Sequence, residues 1–128
     1  YLHWAKKNFE LNKIYGPAHQ LVPADCIKWL AQCREGYDLI ILDPPSFSNS
    51  KRMEDVLDIQ EDHVGLIKRC MELLNASGVL YFSTNLRSFK LDYTALAPFQ
   101  IEDISAASLD PDFARNPKIH QCFRIKGA

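Results

Sequence analysis

The chain has no surplus of positive charge: 15 Lys and Arg against 16 Asp and Glu leave its 128 residues at a formal −1. A polycationic nucleic-acid binder is thereby excluded, and any contact with RNA or DNA needs a local basic patch or a basic domain elsewhere. No apolar run approaches membrane-spanning length, and the N-terminus lacks the layout of a signal peptide. Glycine is sparse: Gly16, Gly36, Gly65, Gly78 and Gly127 stand apart, and no two form a Gly-x-Gly cluster. The cysteines, Cys26, Cys33, Cys70 and Cys122, are scattered without a Cys-x-x-Cys pair. That spacing argues for reduced thiols rather than a zinc site or disulfides. The expectation is a soluble, cytoplasmic protein with no metal, and its 47% hydrophobic content suffices for one domain with a single core.

What is present is a corner. The apolar run Leu39-Ile40-Ile41-Leu42 reads as a strand buried on both faces, as in a parallel sheet. Pro44 and Pro45 cannot continue a central strand, because each lacks the N–H that a ladder needs. The strand therefore stops at Asp43, leaving a carboxylate and a stiff loop at its carboxyl end, the edge where open parallel sheets bind ligands.

Helical spacing of Leu2, Ala5 and Phe9 predicts a helix closing near Asn12. It begins at residue 1 without a cap, hence the expectation that the chain starts partway through a domain. A short strand is expected at 19–22. Asp25 stands at an N-cap before Cys26, Trp29, Leu30 and Cys33 at i, i+3, i+4, i+7. A polar stretch runs from Ser46 to Asp55. A long amphipathic helix then places Ile59, His63, Leu66, Ile67, Cys70, Leu73 and Leu74 on one face, stopped by Asn75-Ala76-Ser77-Gly78. Strands follow at 79–83, near 99–104 and at 119–125, with a weak helix at 90–97. Helices alternating with strands, then two strands in succession, give an α/β sandwich with a β-β ending. Trp4 and Trp29 are expected as core anchors. His63 reads as a core or boundary histidine, and His120 as structural.

Five stretches carry a family resemblance: Tyr1-Leu2-x-Trp4-Ala5-x-x-Asn8-x-x-Leu11-Asn12, Ala24-Asp25-Cys26, Asp43 through Glu54, Phe82-Ser83-Thr84-Asn85-x-Arg87-x-Phe89, and Asp112-Phe113-Ala114-Arg115-Asn116-x-x-Ile119-His120. Together they resemble the C-terminal half of the bifunctional bacterial large-subunit ribosomal RNA methyltransferases, the half that methylates guanine N7 with S-adenosylmethionine. The block Asp43-Pro44-Pro45-Ser46-Phe47-Ser48-Asn49-Ser50-Lys51-Arg52-Met53 is far more specific than a bare Asp-Pro-Pro. The resemblance implies the C-terminal portion, residues 1–128, of one Rossmann-like class I methyltransferase domain. That fold is a three-layer sandwich with a mostly parallel sheet and an antiparallel last strand. The family's glycine-rich loop and ribose-binding acidic residue have no counterpart here, so the first two strands and part of the cofactor pocket are expected to be missing.

By the same resemblance, Asp43, Pro44, Pro45, Ser46 and Phe47 face the transferred methyl, and Asp25, Cys26 and Asp43 contact S-adenosylmethionine. Phe47 would stack on an unpaired base. Phe47, Asn49, Lys51, Arg52, Asn85, Arg87 and Arg115 would meet 23S ribosomal RNA, although isolated surface charges and loop amides are commonly just solvated. Related 5-methylcytosine enzymes place a nucleophilic cysteine where this chain has Ser83-Thr84-Asn85, and its absence favours transfer to nitrogen. Two alternatives stand beside this reading. One is an N6-adenine or other amino-directed nucleic-acid methyltransferase, disfavoured because Ser46 sits where an aromatic follows the prolines. The other is a non-catalytic module for RNA docking or oligomerisation. Loss of the first two strands would bare the flank of Leu39–Leu42, so either residues 19–22 shift to pair there or a second copy covers it.

Overall fold

A computed structural model describes residues 1–48 and 57–128. In chain order these form α1 (Leu2–Leu11), α2 (Cys26–Gln32), β1 (Tyr37–Leu42), β2 (Phe47–Ser48), β3 (Leu57–Asp58), α3 (Ile59–Glu72) and β4 (Leu74–Thr84). Then come α4 (Tyr93–Leu96), β5 (Gln100–Asp103), a 3-10 turn (Pro111–Phe113) and β6 (Gln121–Lys126). The main sheet has the order β1-β4-β6-β5. β1 runs parallel to β4, and β6 is antiparallel to both β4 and β5. Three strands thus point one way and β6 alone is reversed, as expected of an α/β sheet with an antiparallel last strand. β2 and β3 make a separate antiparallel ribbon.

Period-two alternation explains β4: Leu80, Phe82 and Thr84 are buried while Val79, Tyr81 and Ser83 are only half-buried. Leu80 and Phe82 meet Phe123 and Ile125 of β6, Ile59, Ile67 and Cys70 of α3, and Phe89, Leu91 and Leu96 in one cluster. Each such side chain contributes about 1.5–3 kcal/mol through burial. Burial pushes the Cys70 thiol up to about 11, so it is a neutral packing group.

Helix α3 carries its own start signals. Asp58 caps it by accepting from the Gln60 amide, and Glu61 and Asp62 lie in the first turn with Arg69 in the last, matching the helix dipole. Ile59, His63, Ile67 and Cys70 form its buried stripe. His63 behaves as the expected core histidine. Its Nδ1 lies 3.1 Å and 2.9 Å from the carbonyls of Ile59 and Gln60, and its Nε2 accepts from the Asp92 amide at 3.1 Å. Those partners fix the proton on Nδ1. Arg69 locks α2 onto α3, donating from Nε to the Leu30 carbonyl (2.8 Å) and from Nη2 to the Cys33 carbonyl (2.6 Å).

Four expectations change. Residues 19–22 form no strand; a four-residue segment flanked by Pro17 and Pro23 has too few donors to hold without a ladder partner. They do not pair with β1, whose described ladder is to β4 only, so its other flank stays open. β1 consequently buries one face rather than two: Ile40 and Leu42 pack on the core, while Leu39 is 53% and Ile41 71% exposed. The tryptophans are not core anchors, since α1 buries none of its residues and leaves Trp4 69% exposed, and Trp29 is 36% exposed beside the open flank. Helix α3 ends at Glu72 with Leu73 as its C-cap, so Asn75–Gly78 belongs to the start of β4 rather than to a helix stop.

Candidate active site

Reversal of β6 assembles the site. β1 and β4 end at the same edge, presenting Asp43-Pro44-Pro45 and Ser83-Thr84-Asn85. Because β6 runs the other way, its beginning reaches that edge and brings His120 and Cys122; Ser108, after β5, joins them. These nine residues line one cavity of about 500 Å3. A ligand pocket at the carboxyl ends of parallel strands is the position expected for open α/β sheets.

Two hydrogen bonds stitch the proline loop to the end of β4. The Ser83 hydroxyl donates to Asp43 Oδ1 at 2.8 Å, and the Ser46 hydroxyl donates to Asn85 Oδ1 at 2.5 Å. The Ser46 carbonyl also accepts from the Ile59 amide at 3.1 Å, anchoring the loop to α3. Asp43 precedes a proline, which already confines its backbone to extended conformations. Its carboxylate is thus fixed from both sides yet exposed to the cavity. With its oxygen held by Ser46, the Asn85 amide turns its NH2 the other way.

Of the residues expected to face the methyl, Asp43, Pro44 and Pro45 line the cavity and Ser46 braces it from the loop. Phe47 is outside the lining, 59% exposed on β2. Asn85 lines the cavity; Arg87 and Arg115 are exposed beyond it. Asn49, Lys51 and Arg52 lie outside the described residues. Asp25 and Cys26 separate: Asp25 caps α2 by accepting from the Ile27 and Lys28 amides, whereas Cys26 lines a second groove. That groove, about 590 Å3, runs along the open flank of β1 between Ala24, Trp29, Leu30, Leu39 and Ile41. Its apolar, aromatic walls suit a flat ring such as adenine. Ile41 lines the groove and Asp43, two residues on, lines the cavity, so the strand end joins the two.

Ser108 and Cys122 carry no expectation from the sequence, and His120, read there as structural, lines the cavity with them. Ser108 Oγ and His120 Nε2 are 3.1 Å apart. Only the antiparallel register, which sets Cys122 opposite Ser83, brings them to Asp43. The loop of β4 holds no cysteine, but the cavity does. Burial pushes the Cys122 thiol up; the Ser108 hydrogen bond opposes this, while the charges of Asp103 and Asp43 add to it. The thiol is held protonated, the opposite of an activated nucleophile. Among the described residues no group of side chains is arranged to hold a metal ion, and no helix is long and apolar enough to cross a membrane.

Solved structures place this architecture. The structure of SMU.776, described as a methyltransferase and complexed with SAH, superposes with a TM-score of 0.75 at 27% identity, over 94% of this chain and 34% of that one. A protein from Streptococcus mutans described as a SAM-dependent methyltransferase gives a TM-score of 0.67 at 25% identity, again over 94% and 34%. The chain therefore has the fold of a segment of a Rossmann-like methyltransferase domain. In sequence it is 60% identical over 126 residues to the ribosomal RNA large subunit methyltransferase K/L of Saccharophagus degradans and 59% identical to that of Cellvibrio japonicus. Each match takes in 98% of this chain but 17% of the relative, so the chain spans about a sixth of the length of the curated relatives it matches. The matched segment lies in their C-terminal part. No protein-family model matches the chain.

Proposed function

We propose that this chain is the acceptor-binding part of an S-adenosylmethionine-dependent ribosomal RNA methyltransferase, acting within a longer protein on guanine N7 of 23S RNA. The names of the relatives support large-subunit ribosomal RNA as the substrate, and the family resemblance of the Asp43–Met53 block supports N7. The observation that carries the reading is the Asp43 carboxylate, pinned by Ser83 at the junction of the groove and the cavity.

Cys26 and Trp29 would hold the adenine end of S-adenosylmethionine in the groove. Its ribose and methionine ends find neither the glycine-rich turn nor the acidic residue after the second strand that the family uses for them. When bound, the cofactor supplies an electrophilic methyl on a sulfonium. Guanine N7 carries a lone pair and no proton, so forming the N7–CH3 bond while the S–CH3 bond breaks requires no base. The chain's task is positioning the purine in line, together with electrostatics. Methylation leaves the purine cationic, and the fixed Asp43 carboxylate opposes that charge where it develops. Phe47, exposed beside the loop, offers a face for stacking, and Lys51, Arg52, Arg87 and Arg115 offer phosphate contacts. In the chain by itself, the open flank of β1 is a surface for a second copy.

Nucleoside mass spectrometry of 23S RNA treated with the intact methyltransferase tests the substrate and atom. A gain of 7-methylguanosine is expected; methylated adenosine or cytidine instead would overturn the reading.

A further inference from the structure

We infer that the Asn85 amide selects guanine in the acceptor cavity: its NH2 donates to the O6 oxygen beside the methylated nitrogen, while the Ser46 hydroxyl keeps the amide from turning over. The inference rests on the reading that the cavity takes a guanine, and deepens it by naming what reads the base. Along the edge that carries N7, guanine shows two acceptors, N7 and O6, whereas adenine shows the N7 acceptor and an N6 donor. Asp43 is acceptor-only and does not hold guanine by that edge. A donor is needed.

Most polar groups of the wall are already engaged. The Ser83 hydroxyl donates to Asp43. Thr84 is buried, and its Oγ1 accepts from the Leu86 amide. The Ser108 hydroxyl lies 3.4 Å from the Ser105 carbonyl and 3.1 Å from His120 Nε2, so that hydroxyl and that ring nitrogen are spent within the protein. Cys122 is a protonated thiol, a weak donor. Asn85 differs. It lines the cavity, it is exposed, and among the described residues its Nδ2 has no hydrogen-bond partner. The Ser83–Asp43 and Ser46–Asn85 bonds tie together the same two loops, so the carboxylate and the amide share one side of the cavity.

A carboxamide by itself does not discriminate. It carries an acceptor and a donor, and a free asparagine commonly pairs with N6 and N7 of adenine. The lock decides. Ser46 Oγ stands 2.5 Å from Asn85 Oδ1, within the range for a hydroxyl on oxygen and shorter than an N–H···O bond. Oxygen therefore faces Ser46, and the NH2 is the arm left for a ligand. Ser46 is itself held, its carbonyl accepting from the Ile59 amide at 3.1 Å. With the acceptor taken, guanine O6 meets a donor, whereas adenine N6 sets donor against donor.

The test pairs one residue with one substrate atom. It uses the intact methyltransferase carrying this segment, labelled S-adenosylmethionine, and 23S RNA ligated around a synthetic stretch in which the methylated guanosine is kept or replaced. Inosine keeps O6 and lacks the 2-amino group; 2-aminopurine riboside keeps that amino group and lacks O6. The wild type should accept inosine within about fivefold of guanosine and lose roughly 10- to 100-fold in kcat/KM on 2-aminopurine, the range for one oriented hydrogen bond. Asn85→Ala should lose about as much on guanosine and almost nothing further on 2-aminopurine, with S-adenosylmethionine affinity and melting temperature unchanged. Asn85→Asp, which turns an acceptor toward O6, should be worse than Asn85→Ala on guanosine. Ser46→Ala should keep part of the rate but relax the preference for O6. A wild type indifferent to O6, or an Asn85→Ala enzyme that retains the full O6 preference, would overturn the inference; if Asp43→Ala is then inactive, the cavity still stands as the acceptor site. Full activity in both Asn85→Ala and Asp43→Ala would sink the reading of the cavity itself.

Discussion

Asp43 depends on Ser83 more than on anything in its own loop. The 2.8 Å bond from the Ser83 hydroxyl fixes which carboxylate oxygen faces the cavity. Removing it leaves the charge in place but lets the side chain rotate. Ser83→Ala in the intact enzyme should therefore lower kcat by about tenfold with little change in KM for RNA, the signature of lost orientation. Ser83→Thr, which keeps the hydroxyl, should restore most of it; steady-state kinetics decides, and a KM effect alone would contradict the role. His63 is a stability residue by the same logic. His63→Ala opens a cavity against Phe89 and strands the Asp92 amide, costing about 2–4 kcal/mol in urea unfolding. A cost under 0.5 kcal/mol would show that the buried imidazole is not a packing group.

At the scale of elements, β4 is the spine. Its buried residues face α3 and its neighbours on both flanks are β1 and β6. Phe82→Ala should cost about 3–5 kcal/mol. Gly78 is a subtler case: a Cβ there would sit 2.9 Å from the Asn75 carbonyl, a backbone atom that does not yield cheaply. Gly78→Ala should thus destabilise by about 1–3 kcal/mol, measured by chemical denaturation, despite the better strand-forming backbone of alanine. The elements that read clearly from sequence were those with strong periodicity or a cap. Helix α3 showed its stripe, Asp25 its cap, and Asp43-Pro44-Pro45 its strand end. What failed was whatever depends on a partner. Residues 19–22 have strand-like composition but nothing to pair with, and Leu39 and Ile41 have core-like chemistry but nothing over them. Cys122 gives no local signal, and His120 lies in a family-like block that does not tell its place in the site, because their relation to Asp43 exists only through the reversed register of β6. A motif search reads along the chain, and this site is assembled across it.

For the molecule as a whole, the open flank of β1 is the feature with consequences. An apolar strand edge with Leu39 and Ile41 exposed invites another strand. In the chain by itself, sedimentation should show concentration-dependent self-association that Ile41→Lys abolishes; a monomer at every concentration would contradict this. The 128-residue chain should also bind S-adenosylmethionine at best weakly, near or above about 1 mM (roughly −4 kcal/mol), since the groove supplies only one end of the site. The central claim concerns where methyl and base meet. A structure of the intact enzyme with S-adenosylhomocysteine and its RNA tests that directly. A guanine should lie in the cavity beside Asp43, its N7 turned toward the cofactor's sulfur. A base bound elsewhere, with the Asp43 corner facing neither ligand, would contradict the account.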